Sequence, residues 1–182
     1  MQALIVVAHP KPDSLCQALA REFACGLTEA GHEYRLLDLY AEGFDPVLRA
    51  AELPGPAQAL TEEVRRMQEL VRTADGLVFV YPVWWGTPPA VLQGWLQRVF
   101  TYGFAFEVAK GAPQGLLRQR AQVVVTAGGP TPSDPTAALV ESLQFCGMQT
   151  VKSLVFPGIG PGIDPKIVEK ALKLAREAGK GF

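Results

Sequence analysis

The fold is decided by one stretch near the start of the chain, Ala3-Leu4-Ile5-Val6-Val7-Ala8. Every residue in it is apolar, as expected of a parallel strand that helices cover on both faces. Ser14 then provides an N-cap and Gly31 a stop for the helix between them. The apolar face of this helix is formed by Leu15, Leu19, Phe23, Leu27 and Ala30. The chain therefore begins with a buried strand and an amphipathic helix.

The same alternation continues along the chain. Further strands are predicted at residues 34–39, 76–81, 121–126 and near 150–156, with an irregular segment over residues 40–56. The other helices are marked by apolar residues at helical spacing: Leu60, Val64, Met67 and Val71; Val91, Leu92, Trp95, Leu96 and Val99; Leu139, Val140 and Leu143; Val168, Leu172 and Ala175. Five strands alternating with five helices predict an α/β protein, a single three-layer sandwich over residues 1–182.

The topology of such a sheet also predicts where a ligand binds. Ligands lie outside the carboxyl ends of the parallel strands, at the point where the strand order reverses. We therefore expect the loops after the first, third and fourth strands to build the site.

Composition and charge exclude several classes of protein. With 182 residues, 48% hydrophobic and 19% charged, the chain is typical of a globular domain rather than a disordered one. A formal net charge of −1 gives no basic excess for nucleic acid or a membrane surface. The three cysteines lack metal-ligand spacing, and no apolar stretch suits a signal peptide or a membrane span. We expect a cytoplasmic protein that has no metal site, binds no nucleic acid and is not embedded in a membrane.

The first of the three loops, His9-Pro10-Lys11-Pro12-Asp13-Ser14, suits a phosphate. It lacks the glycine spacing of a dinucleotide-binding turn or of a P-loop. It still offers a hydroxyl and unpaired backbone N–H groups at a helix N-terminus. The alternative is structural: Ser14 is then a plain helix cap, and His9 a strand-end residue hydrogen-bonded to backbone.

The second loop, Tyr81-Pro82-Val83-Trp84-Trp85-Gly86-Thr87-Pro88-Pro89, carries two adjacent tryptophans. Neighbours in an extended segment face opposite ways, so we expect one ring to pack inward while the other ring, or the backbone, meets a planar ligand. The alternative is a pair of core or dimer-contact tryptophans. The third loop holds Gly128 and Gly129, which either let the backbone approach a ligand or form an ordinary strand-to-helix turn.

Several motifs in register resemble the NAD(P)H:quinone oxidoreductases of the flavodoxin superfamily. The most specific match runs from Ala74-Asp75 through Pro82-x-Trp84-Trp85 and Pro89-Ala90 to Gly94-Trp95-x-x-Arg98-Val99. The others are His9-Pro10 with Ser14; Asp38-Leu39-Tyr40 with Phe44 and Pro46; Gly103-Phe104-Ala105-Phe106; Thr126-x-Gly128-Gly129; and Phe145-Cys146-Gly147. The resemblance spans nearly the whole chain. It implies a flavodoxin-like sheet of five parallel strands in the order 2-1-3-4-5.

The resemblance also implies one group of flavin-binding residues on each loop. These groups are His9, Ser14, Leu15 and Cys16 at the phosphate; Pro82, Val83, Trp84 and Trp85 along the edge and face of the isoalloxazine; and Thr126, Gly128 and Gly129 at the pyrimidine side. Donors fixed at that last position would stabilise the negative charge of the reduced flavin. Phe104 and Phe106 would form walls of the acceptor pocket, shared across a homodimer.

The sequence departs from the family pattern at two places. Leu15 and Cys16 stand where members of the family commonly have Phe and Asn. The Cys16 thiol is either a reactive thiolate favoured by the helix N-terminus or a small apolar filler. Longer members also have a Tyr and a His after the glycine pair that assist hydride transfer, whereas residues 130–135 here are Pro-Thr-Pro-Ser-Asp-Pro. We therefore name no side chain as a catalytic acid or base.

The function implied by the resemblance is electron transfer from NADH or NADPH to a quinone or a related aromatic acceptor. The hydride would pass to flavin N5 and on to the acceptor in a ping-pong sequence. The short chain resembles the compact bacterial branch, which favours FMN over FAD. That branch includes regulatory partners of potassium-efflux transporters, so a membrane-transporter partner is one alternative. The others are a flavodoxin-type electron carrier and a flavin-free binding module.

Overall fold

The computed structural model of the protein describes residues 1–55, 58–129 and 134–182. The strands are β1 (Gln2–Val7), β2 (Glu33–Asp38), β3 (Gly76–Val83), β4 (Phe106–Ala109), β5 (Ala112–Gly115), β6 (Arg120–Ala127), β7 (Gln149–Thr150) and β8 (Leu154–Phe156). The helices are α1 (Leu15–Glu29), α2 (Glu62–Thr73), α3 (Ala90–Val99), α4 (Ala137–Phe145) and α5 (Pro165–Gly181), with a 3₁₀ turn at Ala50–Glu52. No helix in these ranges has both the length and the apolar character needed to cross a membrane.

The central sheet is parallel and has the order β2-β1-β3-β6-β7, with β8 also paired to β6. One face packs against α1 and α5, and the other packs against α2, α3 and α4, so that apolar core lies on both faces. The predicted flavodoxin-like three-layer sandwich and its strand order are confirmed.

The prediction of one continuous fifth strand at residues 150–156 is wrong. The strand is broken into β7 and β8, which pair with the start and the end of β6. At the break, the Gln122 amide donates to the Lys152 carbonyl oxygen at 2.6 Å. The buried side chain of Gln122 on β6 therefore replaces the backbone hydrogen bond that the Lys152 carbonyl would accept in a continuous strand.

Two other elements differ from the prediction. The β4–β5 hairpin was not expected at all, and it lies outside the central sheet. Helix α2 begins after its N-cap Thr61, whose side chain accepts the Val64 N–H, so Leu60 lies outside the helix.

Strand β3 continues two residues past the predicted end, through Pro82 to Val83. The last bond between β1 and β3 runs from the Ala8 N–H to the Val80 carbonyl at 3.0 Å. The next donor on that side of β3 would be Pro82, which has no N–H. Pairing between β1 and β3 therefore stops at Ala8, and the chain after it is released to form the first loop.

The long excursion between β2 and α2 is held by one buried arginine, Arg98 on α3. All five of its N–H groups are used: they donate to the carboxylates of Glu52 and Glu63, the Thr61 hydroxyl and the Asp45 carbonyl. The ion pair with Glu52, at 2.6 Å, is inaccessible to solvent at both ends. Arg98 thereby fixes the excursion against α3.

The Arg98 guanidinium holds the pKa of the Glu52 carboxyl below its usual range. Because that carboxylate stays charged and buried, replacing Arg98 with the similarly shaped Met would leave it uncompensated. We expect Arg98→Met to lower the free energy of unfolding by about 3–5 kcal/mol in urea denaturation. Arg66→Met breaks the exposed pair with Glu42 and should cost no more than about 1 kcal/mol. Equal losses in the two variants would contradict this role of Arg98.

Candidate functional site

The three predicted loops meet at one edge of the sheet. Strand pairing aligns Val7 with Val80, Val80 with Val124, and Pro82 with Thr126. The carboxyl ends of β1, β3 and β6 are therefore side by side. The predicted phosphate, ring-edge and pyrimidine residues lie at the ends of these strands, on the loops that leave them or in the first turn of α1.

The N-terminus of α1 presents backbone donors at this edge. The Ser14 side chain caps the helix by accepting the Gln17 N–H at 3.3 Å, as predicted. The N–H groups of Leu15 and Cys16 have no acceptor within the described residues. The first turn of α1 has no acidic residue, whereas α2 has Glu62 and Glu63 there. The positive end of the α1 dipole is thus available to an anion.

His9, at the start of the first loop, is held in a fixed tautomer. Its Nδ1 accepts the Lys11 N–H at 3.0 Å, so the proton of the neutral ring is on Nε2. Burial lowers the pKa of His9, which keeps the ring neutral at pH 7. The ring also contacts Trp84, with centroids 5.8 Å apart. His9 therefore offers a donor and joins the first loop to the second.

Cys16 and Thr126 form a direct contact between the first and third loops. The Cys16 Sγ lies 3.3 Å from the Thr126 Oγ1, and both residues are buried. Burial raises the pKa of the Cys16 thiol to about 11. Burial therefore favours the interpretation of Cys16 as a small apolar filler over that of a reactive thiolate, because desolvation opposes the charged form.

The two tryptophans occupy a tight turn. Trp84 and Thr87 exchange both backbone hydrogen bonds at 3.0 Å, and Trp85 and Gly86 between them have positive φ of 54° and 75°. This is the type I′ pattern, which usually requires Asn or Gly at both central positions. A tryptophan there costs about 1–2 kcal/mol, and strain of this kind concentrates at functional sites.

Both tryptophan rings are presented to solvent. Trp84 is 42% exposed and Trp85 is fully exposed. The prediction that one ring packs inward is wrong, because the turn projects both away from the core. Trp95, by contrast, is fully buried between Phe79 and Phe100.

The third loop leaves further backbone donors at the same edge. The N–H groups of Gly128 and Gly129 find no acceptor in the described part of the chain, although the Ala127 carbonyl accepts the Ile159 N–H. The segment predicted to continue this loop, Pro130 to Ser133, lies outside the described residues. The edge therefore combines donors at its two ends with aromatic rings between them, which fits a flavin with an anionic phosphate, a planar ring and a polar pyrimidine side.

The structure does not bring Phe104 and Phe106 to this edge. The Phe104 ring lies under the Arg72 guanidinium, 5.5 Å away, near the amino ends of β3 and β6. Phe106 packs against Phe145 and Tyr102 beside α4. The β4–β5 hairpin, which the sequence did not reveal, carries this segment away. A place in the acceptor pocket requires a second copy of the chain and stays a prediction.

Sequence reasoning missed Gln17, which lies on the buried side of the first turn of α1. Its amide donates to the Asp38 carboxylate at the end of β2, and that carboxylate also accepts the N–H groups of Tyr40 and Ala41. The signal in the sequence is a polar residue on the buried face of α1, three positions after the N-cap, because a buried polar side chain needs a hydrogen-bond partner.

Comparison with known proteins shows the family to which the chain is similar. A profile of the Flavodoxin_2 family, described as a flavodoxin-like fold, matches residues 1–178. An uncharacterized NAD(P)H oxidoreductase of Haemophilus influenzae is 30% identical over 189 residues, covering 97% of this chain and 93% of its own. The solved NAD(P)H:quinone oxidoreductase from Methanothermobacter marburgensis is 32% identical, with a TM-score of 0.84 over 100% of this chain and 96% of its own.

One relative is longer. A ribosyldihydronicotinamide dehydrogenase-like protein of Penicillium crustosum is 32% identical over 155 residues, or 71% of this chain. The matched region spans 58% of the length of that relative.

Because Trp85 is exposed in this turn, its substitution tests the proposed site without disturbing the core. Trp85→Gly removes a solvent-exposed ring and suits the positive φ, so it should leave the fold intact or stabilise it by up to about 1 kcal/mol. If the ring lies against a bound flavin, FMN affinity should fall about fivefold or more, as expected for one lost aromatic contact. Flavin fluorescence titration and urea denaturation measure the two effects.

Trp95→Leu is the matched control. It should lower the free energy of unfolding by about 2–4 kcal/mol through lost core packing, with little effect on FMN affinity of the folded protein. An equal loss of FMN affinity in both variants would refute the placement of Trp85.

Proposed function

The chain belongs to the Flavodoxin_2 family of flavodoxin-like proteins, and we propose that it is a flavin-dependent NAD(P)H:quinone oxidoreductase. The observation that carries the proposal is the arrangement at the sheet edge. The unpaired N–H groups of α1, the strained and exposed Trp85, and the glycine pair after β6 lie together there. The relatives named NAD(P)H oxidoreductase and NAD(P)H:quinone oxidoreductase support it, since each matches nearly the whole chain.

The residues of the chain divide the work of holding the cofactor. The N–H groups of Leu15 and Cys16, with the Nε2–H of His9, would bind the phosphate. Pro82 and Val83 at the end of β3, with Trp84 and Trp85 in the turn that follows, would lie along the isoalloxazine. The N–H groups of Gly128 and Gly129 would face the pyrimidine side, where fixed donors favour negative charge. None of these groups needs to change its protonation state.

The bound flavin would supply the redox chemistry by accepting a hydride at N5 and passing two electrons to the acceptor. The protein's part is to place the nicotinamide and then the acceptor on the same face, in turn, which gives ping-pong kinetics. Because the proposed site would accept flat molecules by stacking, acceptors of several kinds should be used. Quinones are the proposed class, and nitro- and azo-aromatics are further candidates.

FMN is the flavin we propose, with FAD as the alternative. The donors at the α1 N-terminus suit one terminal phosphate, and no described feature of the site selects an adenylate. No described feature of the site distinguishes NADH from NADPH either, so both are proposed as electron donors. We further propose a cytoplasmic location.

A homodimer remains part of the proposal. Helices α3 and α4 border a groove of about 600 Å³, whose apolar lining includes Leu96, Phe100, Phe106, Ala138, Phe145 and Cys146. Phe145 is half-exposed, and Tyr102 and Val108 nearby are also exposed. A second copy of this chain is the occupant we expect, because it would cover these rings and could bring Phe106 to the other copy's site.

Anaerobic reduction tests the proposed function directly. Protein reconstituted with FMN should bleach to the two-electron reduced spectrum after one equivalent of NADH or NADPH. A benzoquinone should then restore the oxidised spectrum. Parallel samples with FAD, and with each nucleotide, would show which cofactors serve.

Three other outcomes would contradict it. Bound flavin that neither nucleotide reduces would favour a regulatory role, and co-purification with a membrane transporter would identify its partner. A stable blue one-electron form would favour a flavodoxin-type carrier. A folded protein that binds no flavin would favour a flavin-free binding module.

A further inference from the structure

Cys16 connects the two ends of the proposed flavin site. It lies in the first turn of α1, whose unpaired N–H groups are the proposed phosphate donors. Its Sγ lies 3.3 Å from the Oγ1 of Thr126, which is 110 residues away and two positions before Gly128. No other described side chain joins the α1 N-terminus to the end of β6 through a hydrogen bond.

The pair is suited to a fixed contact rather than to chemistry. Cys16 is 1% exposed and Thr126 is 5% exposed. Burial keeps the thiol protonated, because it raises the pKa of Cys16 to about 11. A thiol and a hydroxyl can each donate and accept, so the two groups satisfy each other in either direction. Protonation and burial both oppose a nucleophilic role for the sulfur.

We propose that Cys16 is a positioning residue: its hydrogen bond to Thr126 sets the spacing between the α1 N-terminus and the carboxyl end of β6, so that the phosphate and the ring of FMN bind in register. The inference rests on the proposed function. It assigns a role to a position at which this chain departs from the pattern of the family it resembles.

The proposal predicts that the hydrogen bond between Cys16 and Thr126 matters for a ligand that contacts both the α1 N-terminus and the carboxyl end of β6. FMN carries a ring, a ribityl chain and a phosphate, whereas riboflavin has the same ring and ribityl chain but no phosphate. If the spacing relaxes, FMN can no longer satisfy both sets of donors at once, but riboflavin loses little. A purely structural role for Cys16 would change the affinity for the two ligands by the same factor.

Two substitutions separate the hydrogen bond from packing. Cys16→Val removes the bond with a slightly larger, β-branched side chain, whereas Thr126→Val removes the same bond with almost no change of shape. Cys16→Ser keeps a donor and an acceptor but is smaller. We expect Cys16→Val to weaken FMN binding about fivefold, which is the effect of one hydrogen bond worth about 1 kcal/mol. Riboflavin binding should change less than about twofold, and Cys16→Ser should bind FMN nearly as the wild type does.

Variants of Thr126, the partner of Cys16, and of Cys25, a distant thiol, complete the experiment. Thr126→Val should reproduce the loss of FMN affinity, and the double variant with Cys16→Val should lose no more than either single variant, because the two residues act through one bond. Cys25→Val is the control, since Cys25 is an exposed thiol on the same helix. It should bind both flavins as the wild type does. Flavin fluorescence titration gives each Kd, and circular dichroism verifies folding.

The outcomes distinguish this inference from the proposed function. If wild-type protein binds FMN and Cys16→Val binds it equally well, or loses FMN and riboflavin affinity equally, the positioning role is refuted while the function stands. If Cys16→Ser is weakened and Cys16→Val is not, packing rather than the hydrogen bond is responsible, and the inference is also refuted. If folded wild-type protein binds no flavin, the proposed function fails. Should Cys16→Val not fold, Thr126→Val against Thr126→Ser provides the same comparison.

Discussion

The first turn of α1 is the feature on which the rest of the site depends. Its residues are hydrogen-bonded to strands on both sides of β1: Cys16 to Thr126 on β6, and Gln17 to Asp38 on β2. The His9 ring, just before the turn, contacts Trp84 after β3. The helix N-terminus is thus fixed relative to each of the other loops, and its two unpaired N–H groups keep one position. A site for a rigid cofactor needs this kind of preorganisation.

Backbone constraints direct the chain into that arrangement. Pro82 ends the pairing of β1 with β3, so the first loop separates from the sheet where the site begins. The turn after β3 accepts a strained Trp85 and thereby exposes two aromatic rings. Helix α3 follows this turn, and Arg98 ties that helix to the long excursion before α2. Gly94 allows the Pro46 backbone to lie directly on α3. These contacts hold α3, and with it the turn that precedes α3, against the excursion.

Most of the fold could be predicted from the sequence, because it follows from local pattern. The apolar run of β1, the Ser14 cap and the helical spacing of α1 each appear where expected. The break in the fifth strand could not be predicted, because it depends on Gln122 reaching a carbonyl 30 residues away. The hairpin at residues 106–115 shows no clear strand pattern, because its strands have only 4 residues each and the second contains Pro113.

The site was predictable as a set of loops but not in its contacts. The common edge follows from parallel topology, so His9, Trp84 and Gly128 were placed together correctly. The exposure of both tryptophans was not foreseen, because it results from a turn that requires two residues of positive φ. The protonation state of the Cys16 thiol depends on its burial beside Thr126 on β6, which one sequence does not reveal. The position of Phe104 far from this edge of its own chain follows from the β4–β5 hairpin, and its place in an acceptor pocket shared across a homodimer stays a prediction.

The central claim is that the N-terminus of α1 holds the phosphate of a flavin. Equilibrium titration of the folded wild-type apoprotein with FMN, and separately with riboflavin, tests it most directly. The account predicts one FMN per chain, bound about tenfold or more tighter than riboflavin, since charge-assisted bonds to a phosphate are worth at least about 1.5 kcal/mol. Folded protein that binds neither flavin, or binds both with the same affinity, would contradict it.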